Sequence, residues 1–365
     1  MKLPEGSPPR LDWSGKSVLI TGGTGSFGRR FVQIMLRDHA PRKLIIFSRD
    51  EMKQHEMRQV HPDGPGSPVR YFIGDVRDVD RLRRAMNEVD VVVHAAALKQ
   101  VPTCEYNPIE AVLTNVMGAK NLIEAALDAR VERVLALSTD KAVSPVNLYG
   151  ATKLVAEKLF IHANAYSGTG PTRFSCVRYG NVVGSRGSVI PLFLKQRQNG
   201  QVTVTHPAMT RFWITLDQGV RFVLDSIERM QGGEVFVPKL PSTGIAEVVA
   251  AVAPGCRIRD IGIRPGEKLH EALIGEDEAP HTVELTDRFL VKPPDPWYFD
   301  THWPAGESLP AGYRYGSDNN PQRLSAAEIL EMVEEFDDHG TRNTGAARRS
   351  PDTDDSASLQ SSTHH

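Results

Sequence analysis

Between Lys16 and Tyr179, short runs of apolar and mostly β-branched residues alternate with longer amphipathic stretches. Residues 17–21, 43–47, 69–73, 89–93, 131–137 and 173–179 read as strands. The segments between them, 27–37, 50–60, 79–87, 109–129 and 148–165, carry helical periodicity. Strands apolar on both faces and separated by helices predict a parallel sheet covered on both sides. The expected fold class is α/β, a Rossmann-like doubly wound parallel sheet with a smaller C-terminal substrate-binding region.

After about Gly180 the rhythm breaks. Gly180 to Pro191 gathers glycines, valines and a basic residue, and shorter elements follow irregularly. From His339 large apolar residues almost vanish, which predicts a disordered tail. The expected division is a flexible leader (1–14), a Rossmann domain (15–180, with some later segments returning to it), a second region (181–338) and the tail (339–365).

Composition narrows the classes. Of 365 residues, 40% are hydrophobic and 24% charged, which excludes disorder over most of the chain. Lys plus Arg number 43 against 45 for Asp plus Glu, a net charge of -2. No global footprint for nucleic acid or an anionic membrane follows. Cys104, Cys176 and Cys256 are far apart with no CxxC pair, which fits a reducing cytoplasm. The leader has no apolar core of a secretory signal, and no run of about 18 apolar residues exists to span a membrane. The twelve histidines show no HxxxH or HExxH spacing backed by carboxylates, so no metal is expected.

Chemistry enters at Thr21-Gly22-Gly23-Thr24-Gly25-Ser26-Phe27-Gly28, directly after the first strand. Gly22, Gly25 and Gly28 let the chain turn tightly, approach a pyrophosphate and pack the helix on the sheet. The helix that follows offers free N–H groups and its positive dipole end. A packing turn alone also favours glycine, but the strand–turn–helix context points to a dinucleotide. At the end of the second strand, Ser48, Arg49 and Lys53 favour NADP over NAD. Asp50 argues the other way, although it also reads as a helix N-cap. Asp75 and Val76 either contact the adenine or form a plain turn.

Tyr149 and Lys153 stand four residues apart on a helix, so both leave one face. Ser138-Thr139-Asp140-Lys141 ends the strand just upstream, at the edge where open α/β sheets bind ligands. Tyr149 becomes a base near neutral pH only if its pKa falls from about 10 by roughly 3 units, about 4 kcal/mol. One lysine in water supplies about 1 kcal/mol. The site must therefore be desolvated and share a second positive charge, which an oxidised nicotinamide ring brings.

At these residues the chain resembles the extended short-chain dehydrogenase/reductase superfamily. The finer resemblance is to the inverting UDP-N-acetylglucosamine 4,6-dehydratases of pseudaminic-acid-type pathways. It is carried by SRDEMKQ (48–54), AAALKQVPTCEYNP (95–108), STDKAVSPVNLYGATK (138–153), VRYGNVVGSRGSVIP (177–191), TRFWIT (210–215) and RPGEKLHE (264–271). A weaker echo is YGSDNN (315–320).

The resemblance implies an NADP-binding first domain, a second region that binds the UDP-sugar, and a homo-oligomer. By the same resemblance Tyr149 takes the C4 hydroxyl proton, Lys141 is the base at C5, and Asp140 assists loss of the C6 hydroxyl. Thr139 bonds the C4 oxygen or merely caps its strand. Ala95 and Ala96 would line the cofactor; Lys99 contacts substrate or cofactor, or is a solvated loop lysine. Asn181, Arg186, Arg211 and Arg257 would hold the diphosphate, and Glu267 the ribose; each also reads as an ordinary surface group. A lysine base must be neutral, so burial beside a cationic ring should depress the Lys141 pKa. Inversion at C5 is expected because retaining relatives tend to carry methionine at the place of Tyr149. The alternatives are a 4-epimerase, a dehydratase acting on another nucleotide-hexose, and a catalytically silent NADP-binding regulator.

Overall fold

A segment buried on both faces satisfies its backbone polar groups only by pairing with neighbours, and each apolar run does so. The structure, a computed structural model, describes residues 11–185, 189–293 and 306–344, with side chains to residue 335. Strands β1 (Ser17–Thr21), β2 (Lys43–Ser48), β3 (Val69–Ile73), β4 (Val91–His94), β5 (Arg133–Leu137) and β6 (Arg173–Val177) lie within two residues of expectation. Beyond them come β7 (Asn181–Val182), β8 (Gln201–Val204), β9 (Thr210–Ile214), β10 (Val235–Pro238), β11 (Ser242–Gly244) and β12 (Arg257–Asp260). The last are β13 (Ala272–Ile274), β14 (Thr282–Glu284), β15 (Arg288–Val291), β16 (Glu307–Ser308) and β17 (Tyr315–Gly316).

The main sheet has ten strands in the order β16-β14-β15-β10-β6-β5-β4-β1-β2-β3. From β10 to β3 every pairing is parallel. Late segments then add β15, β14 and β16 antiparallel, an extension the periodicity did not announce. Strand order reverses between β1 and β4, and that switch point opens a crevice at the carboxyl ends.

Helices α1 (Ser26–Ile34), α2 (Glu51–Val60), α3 (Val79–Ala85), α4 (Val101–Tyr106), α5 (Pro108–Ala111), α6 (Gly118–Asp128) and α7 (Leu148–Ser167) accompany the parallel strands. Asp50 and Asp78 cap α2 and α3 by accepting from the amides of Lys53 and Arg81. The single helix expected over 109–129 instead contains a π-helical segment, Val112–Met117. Within it, buried Asn115 accepts from the Leu98 amide and donates to the Leu98 carbonyl and to Thr152. A π segment commonly re-aims a side chain in this way, here tying the loop after β4 to α7.

Past Gly180, α8 (Val189–Arg197) opens a second core that includes Phe193, Val202 and Trp213. Next, α9 (Leu216–Arg229) returns to the main sheet, where Asp217 pairs with Arg30 of α1. The second core also takes α10 (Ile245–Val252) and the start of α11 (Ala326–Thr344). Trp13 is buried and donates to Glu228 at 2.9 Å, so the folded unit starts ahead of residue 15. At the other end α11 continues past His339, the expected start of the tail. Leader residues 1–10 and tail residues 345–365 lie outside the described residues.

Candidate active site

A cleft of about 1010 Å³ occupies the switch point, running from the Gly22–Gly28 loop to Asn181 and Trp213. Gly22 has φ 67°, and a Cβ there would stand 2.9 Å from the Ala96 amide nitrogen. A Cβ on Gly28 would overlap the Gly23 backbone. Glycine is required at both places. Gly25 is the N-cap of α1 and supplies no side-chain cap, so amides of the first turn are left for an anion. Thr24, Ser26, Phe27, Ala95 and Ala96 line the same cradle. Its shape and donors fit a dinucleotide pyrophosphate.

At the far end of the cradle, Ser48 is buried and accepts from Gln54 Nε2 at 3.0 Å. The same amide donates to the carbonyls of Ser48 and Phe72, fixing the end of β2. Sequence reasoning passed over Gln54, a polar residue in a charged helix. Arg49 is exposed, with Nη1 3.4 Å from Asp75 Oδ2. Lys53 is ion-paired with the capping Asp50, which thus takes both the amide and the side chain of Lys53. Burial raises the Asp75 pKa, but hydrogen bonds and charge from Arg77 outweigh it and hold the carboxyl below its ordinary value. Val76 lines the cleft beside it.

The opposite wall is the turn after β5. Its Lys141 carbonyl packs so closely on Gly150, in the first turn of α7, that a Cβ there would overlap it. The turn and the Tyr149 helix therefore form one block. Thr139 Oγ1 donates to Asp140 Oδ1 at 2.8 Å, and Lys141 Nζ donates to the same oxygen at 3.1 Å. Asp140 Oδ2 is buried without a hydrogen-bond partner, an acceptor left open. Lys153 Nζ donates to the Leu137 carbonyl at 2.6 Å, and burial lowers its pKa. Burial pushes the Tyr149 pKa up to about 12, against the pull of the Lys141 charge and a hydrogen bond with Thr139. Bringing it near 7 takes roughly 7 kcal/mol, more than the free-tyrosine argument asked for.

Lys141 departs from expectation. Its Nζ lies 3.1 Å from Asp140 Oδ1 and 3.4 Å from Glu271 Oε1. Burial lowers its pKa, but the charges of Asp140 and Glu271 outweigh burial and raise it above the ordinary lysine value. Against the expected depression, Asp140 and Glu271 both favour the charged form of Lys141. Glu271 was visible only as the last letter of RPGEKLHE; nothing local in the sequence pairs it with Lys141.

Lys99 and Asn181 line the cleft as expected. Arg211, Arg257 and Glu267 do not. Arg211 is buried in β9, where it donates to the carbonyls of Thr210, Lys268 and Leu269 and braces that loop. Arg257 sits on the exposed strand β12, paired only with β8. Glu267 accepts from the Arg264 amide at 3.3 Å and closes its own turn. Arg186 lies outside the described residues. Among the described residues no group of His, Cys, Asp and Glu is arranged to hold a metal ion, and no helix is long and apolar enough to cross a membrane.

With this geometry in place, comparison with known proteins is informative. A family described as polysaccharide biosynthesis protein matches residues 18–293. A UDP-N-acetylglucosamine 4,6-dehydratase (inverting) of Campylobacter jejuni is 48% identical over 330 residues, covering 88% of this chain and 98% of that protein. A UDP-glucose 4-epimerase of Rickettsia bellii is 41% identical over 333 residues, covering 88% and 96%. Among solved structures, Pen from Bacillus thuringiensis superposes with a TM-score of 0.81 at 37% identity, over 90% of this chain and 99% of that one.

Proposed function

Because the chain belongs to the polysaccharide biosynthesis protein family, with the fold of the extended short-chain dehydrogenases/reductases, we propose that it is an NADP-dependent hydro-lyase. The substrate is UDP-N-acetylglucosamine, and 4,6-dehydration with inversion at C5 gives UDP-2-acetamido-2,6-dideoxy-L-arabino-hexos-4-ulose. One observation carries this reading: the Asp140–Lys141 doublet shares a cleft wall with Tyr149. A 4-epimerase needs Tyr149 and neither of the other two. The name of the Campylobacter relative supports the dehydratase, and that of the Rickettsia relative keeps the epimerase as the alternative.

The Gly22–Gly28 loop would hold the pyrophosphate of NADP, and Ser48 with exposed Arg49 the 2′-phosphate. When bound there, NADP would supply an acceptor for the C4 hydride and the donor that returns it to C6. Tyr149 takes the C4 hydroxyl proton, with Thr139 bonding that oxygen and Lys153 behind it. Once C4 is a ketone, the C5 proton is acidic. One proton passed from Lys141 Nζ to Asp140 Oδ1, across 3.1 Å, turns ammonium and carboxylate into amine and acid. The amine then takes the C5 proton, and the acid protonates the departing C6 hydroxyl, which leaves as water. Both side chains finish in the charge state in which they began. A proton from solvent reaching C5 on the opposite face, as hydride returns to C6, would invert that centre, and Tyr149 gives up the C4 hydroxyl proton to solvent.

Exposed Tyr106, Ile109, Leu113 and Met117 along the α4–α6 stretch support a homo-oligomer. Three free thiols suit a reducing cytoplasm. The test is incubation of the protein with NADP and UDP-N-acetylglucosamine in deuterated water, followed by mass and NMR analysis. A 4-keto-6-deoxy product labelled and inverted at C5 is expected; a product that has lost no water rejects the dehydratase.

A further inference from the structure

We propose that Glu271 is a positioning residue for Lys141, holding its ammonium together with Asp140 so that an N–H remains for the sugar. The inference rests on the dehydratase reading for its meaning, but the geometry stands on its own. Glu271 is buried, with Oε1 3.4 Å from Lys141 Nζ and Oε2 3.7 Å from Lys268 Nζ. Lys268 in turn donates to the Val143 carbonyl at 2.6 Å, two residues beyond Lys141. Asp140, Lys141, Glu271 and Lys268 thus form a chain of ion pairs alternating in sign.

Glu271 is placed by the backbone rather than by chance. Its amide donates to Ser317 Oγ at 3.0 Å, and the Ser317 amide donates back to its carbonyl at 2.8 Å. Ser317 Oγ also shares a 2.7 Å hydrogen bond with Thr210. The YGSDNN segment, which neither the cradle nor the catalytic turn uses, therefore has a task. It pins the carboxylate behind Lys141.

An ammonium has three donors. One donates to Asp140, Glu271 lies within ion-pair distance of the same nitrogen, and Lys141 also lines the cleft. The charged and titratable groups around Lys141 are Asp140 and Glu271, which favour its charge, and Arg211, Lys268, Lys99 and Tyr149. A buried carboxylate of this kind is costly unless paired, so a role confined to packing would be filled better by an apolar residue.

The test follows the 13Cε resonance of Lys141 through a pH titration of the cofactor-loaded, substrate-free protein, with Lys141→Arg to assign the signal. In the wild type Lys141 should titrate above the ordinary lysine value. In Glu271→Gln it should titrate lower by about one unit or more. Glu271→Asp, which keeps the charge, should stay near the wild type. Steady-state turnover adds a second readout: Glu271→Gln should lower kcat about tenfold while KM changes less than about twofold. Unchanged titration in Glu271→Gln overturns the proposal. If that variant does not fold, a wild-type Lys141 titrating at or below the ordinary value overturns it equally. A wild type that leaves UDP-N-acetylglucosamine intact defeats the dehydratase reading instead, and the titration still decides the placement of Glu271.

Discussion

The two ends of the cleft are built on different principles. The cradle is a short contiguous stretch whose shape is set by backbone sterics: φ 67° at Gly22, and no room for a Cβ at Gly28. The opposite wall presents Thr139 to Lys141, backed by Lys268, Glu271 and Ser317, and its order is set by charge. A site made of sterics is complete before a ligand arrives and is indifferent to protonation. A site made of alternating charges changes whenever one proton moves. On the proposed reading, the first would hold a cofactor rigidly while the second lets acid and base exchange roles beside a sugar.

The contrast can be broken most sharply at Lys141. Lys141→Met removes the cation between Asp140 and Glu271 and, with it, the proposed base at C5. Dehydration should fall by about 10³-fold or more, while exchange of the C4 hydrogen into the cofactor persists. Product mass and C4 label loss measure the two separately, and undiminished dehydration would remove Lys141 from the mechanism. The cradle should fail differently. Gly28→Ala forces its Cβ onto the Gly23 backbone, costing about 1–3 kcal/mol and weakening NADP binding about tenfold or more at every pH. Calorimetric titration with NADP checks this, and NAD run in parallel reads the cofactor preference.

A smaller effect probes the floor beneath the cradle. His94 is buried at the end of β4, with Nδ1 2.9 Å from Thr21 Oγ1, and burial followed by the Lys153 charge depresses its pKa from 6.5 to about 3. The unfolded chain takes up a proton below 6.5 that the folded protein refuses until about 3. Stability from this residue is thus complete above 6.5 and declines as pH falls across that window, by about 1.4 kcal/mol per unit at most. Melting curves between about pH 7 and pH 4 should fall more steeply for the wild type than for His94→Gln.

The sequence by itself determined the β1–β6 rhythm, the glycine cradle and the Tyr149–Lys153 pair. Each depends on spacing within about one strand or two helical turns, where local sterics and periodicity decide. It also carried the letters of the turn Thr139-Asp140-Lys141, but not the carboxylate of Glu271 that favours the charged form of Lys141. Only the tertiary structure decided that Glu271 lies against that amine, that Arg211 spends its donors on carbonyls, that Asn115 anchors α7 from a π turn, and that Trp13 belongs to the core. The physical reason is distance. A protonation state depends on which charges come within a few ångströms inside a dry wall, and residues so far apart in the chain meet there only after the sheet has folded.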